Sequence, residues 1–186
     1  AELRMMLELF DRIIAGIHSL GPEPHGNINR LTRLCGELMG ADAAIYYREQ
    51  KDSLFAVGRW GLPEGFDAVA IACQPCPDQV RAAVSGMYVR EGEDHGGLPP
   101  CNTSCVKLGI KACVGRPVLS LDKTVGLLCA LYRSDYAPHP LHERIMGLAG
   151  GALAVEEERL RMERAGHKLS EELRQAQKME AIGLLA

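Results

Sequence analysis

Apolar side chains recur at three- and four-residue spacing through Leu3, Met6, Leu7, Phe10, Ile13, Ile14 and Ile17, which predicts an amphipathic helix over residues 2–20, ended before Gly21-Pro22. A second stripe, Ile28, Leu31, Leu34, Cys35 and Leu38, predicts a helix over 27–39 that Gly40 stops. The texture then changes. Residues 43–48 and 54–60 are short apolar runs on either side of a polar turn at 50–53, and Gly61-Leu62-Pro63 breaks the second, so this stretch predicts a pair of strands. A short helix is expected over 78–86. Residues 114–119 and 124–132 predict another strand pair around Leu121-Asp122-Lys123, and from Pro140 onward the pattern is helical to its end. Helices, a strand pair, a loop-rich middle, a hairpin and a closing helix together indicate the α+β class.

The closing helix has a second character. Leu153, Leu160, Met162, Leu169, Leu173, Ala176, Met179 and Ile182 form a stripe at mostly three- or four-residue spacing, with stutters, on an otherwise charged helix. Nothing else in the chain is left to cover that stripe. A parallel coiled coil with a second copy, a homodimer through residues 153–182, is the economical way to bury it. The alternative is a solvated linker helix held by its Glu and Lys/Arg pairs. The expected division is a globular domain over 1–158 and a signalling helix over 159–186.

Composition narrows the setting. With 186 residues, 47% of them hydrophobic, the chain has material for one ordinary core plus an extension. A net charge of −3 gives no footprint for nucleic acid or an anionic membrane. No run reaches the roughly 18 uninterrupted apolar residues of a membrane span, and the start lacks a secretory layout, so direct membrane insertion is not expected. Seven cysteines, an odd number in partly apolar surroundings, fit a reducing cytoplasm better than a secreted disulfide framework.

The cysteines carry the candidate chemistry. Cys73-Gln74-Pro75-Cys76 and Cys101-Asn102-Thr103-Ser104-Cys105 are two short pairs joined by a loop, with Cys113 close behind as a packing thiol or a spare ligand. Tight turns aim two sulfurs the same way, and four thiolates at one point suit zinc or an iron–sulfur cluster. The spacing departs from common zinc-ribbon and ferredoxin patterns, so a reversible disulfide or packed thiols remain open alternatives. Cys35 and Cys129 sit in continuous apolar runs and read as buried packing thiols. Arg116 reads as a structural arginine or an anion contact, His95 as a solvated loop histidine or a substitute ligand, and His139 and His142 as surface or cap residues facing different sides.

Three phrases occur in the order and spacing of a known family. Leu108-Gly109-Ile110-Lys111-Ala112-Cys113-Val114-Gly115-Arg116-Pro117-Val118, then Val125-Gly126-Leu127-Leu128-Cys129-Ala130-Leu131-Tyr132, then residues 149–158 resemble two strands and the final helix of the GAF domain. The resemblance spans roughly residues 1–160. It implies a GAF-like antiparallel sheet flanked by helices, with a ligand pocket under loops that here hold Cys73, Cys76, Cys101 and Cys105, and Cys113 on a strand facing that pocket. The tail Gln177-Lys178-Met179-Glu180-Ala181-Ile182-Gly183-Leu184-Leu185-Ala186 is similar to the stretch leading into the phosphoacceptor box of sensor histidine kinases. None of the six histidines sits in such a box and no glycine-rich ATP lid follows, so this chain is expected to have no catalytic residues. The implied function is ligand, metal or redox sensing that controls a kinase domain in cis. Bilin-carrying relatives pair Cys with His, and no such pair occurs here; the cyclic-nucleotide wording is absent too. Haem, another small organic ligand, or a redox enzyme of the free methionine sulfoxide reductase type are the other readings.

Overall fold

The computed structural model describes residues 2–50, 53–63, 88–91, 108–137 and 139–183. Helices α1 (Glu2–His18) and α2 (Pro24–Leu38) precede strands β1 (Ala43–Gln50) and β2 (Ser53–Trp60), the short β3 (Tyr88–Glu91), the hairpin β4 (Ala112–Ser120) and β5 (Lys123–Tyr132), and the 44-residue helix α3 (Pro140–Gly183). The strands form one antiparallel sheet in the order β2-β1-β5-β4-β3. This is the antiparallel α+β arrangement expected from the sequence, with a long closing helix.

Differences from the expectation have local causes. Helix α2 begins at Pro24, three residues before Asn27, because proline at the first helical position is already set to helical φ and has no N–H to leave unpaired. Asn27, a residue type that favours helix starts, is spent differently: its Oδ1 accepts from the Gly21 N–H and its Nδ2 donates to the Gly21 carbonyl, each at 2.8 Å. The edge strand β3, only four residues long, carries too short a pattern to announce itself. The helix expected over 78–86 lies outside the described residues.

Strand β4 continues past β3, whose pairing ends at Gly115, so Pro117 meets a neighbour on one side only and its missing N–H costs no described ladder bond. The β4–β5 turn is two residues, since Ser120 pairs with Lys123, and both Leu121 (φ 49°) and Asp122 (φ 62°) are left-handed. That is the geometry that matches the twist of a hairpin.

All three helices contribute to a core on one face of the sheet. Ile28, Leu31 and Cys35 of α2 and Ile145, Met146 and Leu153 of α3 pack with Tyr46, Val114, Val118, Leu128 and Ala130 of the strands. Close approach is enforced at Gly36, where a Cβ would overlap the Trp60 ring. Burying side chains of this size contributes roughly 1.5–3 kcal/mol each before entropy is counted. Among the described residues no helix is long and apolar enough to cross a membrane.

Candidate functional site

Alternation along the strands divides their side chains between two faces. The face turned from the helices gathers Ala43, Ile45 and Tyr47 of β1, Leu54 and Ala56 of β2, and Leu127, Cys129 and Leu131 of β5, all buried, with Leu62, Ile110 and Cys113 packed against them. Register explains the grouping: Ile45 pairs with Cys129, Cys129 with Gly115, and Cys113 with Leu131. Cys113 and Cys129 therefore stand one diagonal step apart on neighbouring strands and on the same face. Facing this side is what the sequence implied for Cys113. For Cys129 it is new, because burial was legible in its apolar run whereas its face depends on pairing with a distant strand.

Cys73, Cys76, Cys101 and Cys105 lie outside the described residues, as does His95. Among the described residues no three His, Cys, Asp or Glu side chains are grouped to hold a metal ion. Cys35 is on the other side of the sheet, fully buried with its Sγ 3.4 Å from Met146 Sδ, and burial pushes its pKa up to about 12. A thiol so far from ionisation is a packing group.

For Arg116 the structural reading stands, and the expectation for the two helix-start histidines changes. Arg116 shares the helix side with Val114 and Val118; its Nη1 is 4.0 Å from Glu143 Oε1 and its guanidinium lies over Gly147. It is a structural arginine turned away from the thiol-bearing face. His139 and His142 do not face different sides: their ring centres are 5.5 Å apart, since positions three apart fall on one side of a helical turn. His142 Nδ1 lies 2.7 Å from the Tyr136 hydroxyl, and the Leu141 N–H donates to His139 Nδ1. Burial, and after it His139, lower the His142 pKa from the ordinary imidazole value.

The helix side also holds two polar clusters that the sequence did not reveal. Arg48 is 6% exposed, and its Nε donates to both oxygens of Glu157, at 2.9 and 2.8 Å. Beside it, Glu156 accepts from Asn27 Nδ2 at 3.0 Å and from Arg159 Nη1 at 3.1 Å, while Arg159 Nη2 donates to the Pro22 carbonyl. Adjacent glutamates on α3 thus tie it to β1 on one side and to the α1–α2 connection on the other. A charge inside a strand's apolar run was the one available signal, at Arg48; its partner lies 109 residues away.

No family model and no curated protein matches the sequence. Solved structures do match its shape. The GAF domain of a phosphoenolpyruvate-protein phosphotransferase from Coxiella burnetii superposes with a TM-score of 0.67 at 14% identity, over 89% of this chain and 99% of that one. The blue-light absorbing form of the Thermosynechococcus elongatus PixJ GAF domain gives 0.62 at 20% identity, covering 80% and 93%. The chromophore-binding domain of the bacteriophytochrome RpBphP3 from R. palustris gives 0.65 at 12% identity, covering 87% of this chain. Of the phytochrome structures themselves the chain spans less than two-thirds, 64% of that domain and 37% of the longer RpBphP3 structure. At 12–20% identity these matches show the fold alone: the chain has the GAF fold.

Proposed function

We propose that the chain is a sensing module whose apolar, thiol-bearing sheet face takes up a signal and passes it to a kinase domain in cis. The observation that carries this reading is the division of the sheet. One face offers Cys113 and Cys129 on an apolar floor; the other is tied by ion pairs and packing to a helix that continues past the last buried side chain, Leu160, to Gly183. Cys73, Cys76, Cys101 and Cys105 supply the thiolates, for zinc, an iron–sulfur cluster or a reversible disulfide, with Cys113 as a further ligand. The signal changes the populations of two arrangements of sheet and helix. Leu153 and Leu160 of the expected stripe are covered by the chain's own core, so two copies join through the exposed residues 161–182, and the chain itself neither binds ATP nor phosphorylates itself.

Metal analysis and a visible spectrum of anaerobically purified protein test the cysteine reading. Bound metal or cluster absorption, lost in Cys101→Ser/Cys105→Ser, is expected. Protein with neither metal nor an oxidation-dependent change in thiol reactivity would remove it. Ile45, Leu127 and Leu131 on the same floor favour a second reading in that event, a small organic ligand lying on the sheet.

A further inference from the structure

The polar contacts around α3 are unequal. At Glu156 the bonds are well distributed: the carboxylate accepts from Asn27 and Arg159, and Asn27 and Arg159 each reach the α1–α2 connection. At Glu157 they are crowded. Both carboxylate oxygens take the same Arg48 Nε–H, whereas Arg48 Nη2 and the Tyr46 hydroxyl, both buried, have no hydrogen-bond partner among the described residues. A guanidinium normally meets a carboxylate with two nitrogens side by side, and a buried donor left unmade is unfavourable. Burial first, then the charge of Glu157 and a marginal hydroxyl–carboxylate contact with it, raise the Tyr46 pKa, yet that contact falls short of a hydrogen bond of sound geometry. Two idle donors therefore stand beside an acceptor engaged elsewhere.

Space and leverage are both present. A groove of about 610 Å³ runs beside Glu157, Glu158, Leu160 and Arg161 against the β4–β5 hairpin, so this turn of α3 has room on one side. Gly126, paired with Arg48, leaves room for the Tyr46 hydroxyl, because a Cβ there would overlap it and the Tyr47 carbonyl. Tyr47, the residue between Tyr46 and Arg48, projects to the thiol-bearing face.

We propose that Tyr46, Arg48 and Glu157 form a two-state latch that links β1 to the outgoing half of α3. In the state described above, Arg48 Nε alone holds Glu157. In the other, α3 turns about its anchor at Glu156 and Glu157 meets Arg48 through Nε and Nη2 together with the Tyr46 hydroxyl. The latch rests on the sensing reading for its purpose, but its two states exist without any ligand or kinase.

Fluorine NMR of the whole chain, labelled with 3-fluorotyrosine and assigned by the line lost in Tyr46→Phe, tests the latch directly. The Tyr46 line is expected to split or to show field-dependent exchange broadening, and that exchange contribution is lost in Glu157→Gln while the Tyr132 line stays put. Arg48→Lys, which cannot offer two nitrogens, should suppress it equally and serves if Glu157→Gln does not fold. Tyr46→Phe should leave Tm unchanged or raised, because the hydroxyl is unpaired in the major state. A single sharp Tyr46 line identical in both latch variants, or a Tm lowered by Tyr46→Phe, overturns the latch and leaves the sensing reading standing. Exchange that is present but indifferent to metal or oxidant at the cysteines upholds the latch and removes the cysteine reading of the signal.

Discussion

Within one continuous helix, residues 140–160 and 161–182 live under different rules. The first half buries Leu141, Ile145, Met146, Leu153 and Leu160 and is pinned by Glu156 and Glu157. Every side chain of the second half is exposed, with Met162, Leu169, Leu173, Met179 and Ile182 between 58% and 74% open to solvent. That half projects roughly 33 Å with no described tertiary contact to hold it. Its ion pairs, such as Arg161–Glu158, Lys168–Glu172 and Arg174–Glu171, are local and exposed, each worth a few tenths of a kcal/mol. Helices in water draw most of their stability from a packed face, so the two halves should respond very unequally to the same kind of substitution.

The largest expected effect is in the first half. Leu153→Ala removes a fully buried side chain from the helix-side core and should cost about 2–5 kcal/mol, read as a large fall in Tm by thermal unfolding. A loss below about 1 kcal/mol would mean that α3 is only loosely packed even there. Next comes the anchor at Glu156. Asn27→Ala leaves the Gly21 groups and part of the carboxylate unpaired, and about 1–3 kcal/mol should be lost in denaturant titrations.

A smaller effect tracks pH at the start of the helix. His142 has a folded pKa below its unfolded value, so the unfolded chain binds this proton more readily. Its contribution is therefore complete above the ordinary imidazole value of about 6.5 and is lost as pH falls through that value and the lower folded one. Tm measured from pH 7.5 to 5 should fall more steeply in the parent than in His142→Gln; parallel curves would show that His142 is not the group responsible.

In the second half, Leu169→Ala should move the unfolding of the globular body by no more than about 0.5 kcal/mol. Its effect belongs to association: it, and more strongly removal of the residues after Gly166, should raise the concentration at which the chain dimerises in sedimentation experiments. A chain that stays monomeric at high micromolar concentration would leave the second half a solvated helix.

The same contrast explains what could be read from the sequence. Local patterns placed β4 and β5 within two residues of their observed ends, because an apolar run bounded by turn residues is a property of neighbours in the chain. The start of α2 was misplaced because Asn27 serves a tertiary bond to Gly21 rather than a cap. Glu157 gave no sign of its role among the surrounding glutamates, since only the fold brings Arg48 to it. The face of Cys129 required knowing that Gly115 and Ile45 are its partners. Sites made by pairing distant segments leave little local trace.

The contact at Gly36 has an optical consequence. Trp60 is the single tryptophan of the chain, and its ring packs from the outer strand β2 onto α2 at Gly36. Its fluorescence is thus a built-in gauge of that seam: emission should move to longer wavelength when α2 lifts from the sheet and water reaches the indole. Helix separation can then be followed in unlabelled protein, in real time, independently of what happens along the outgoing helix.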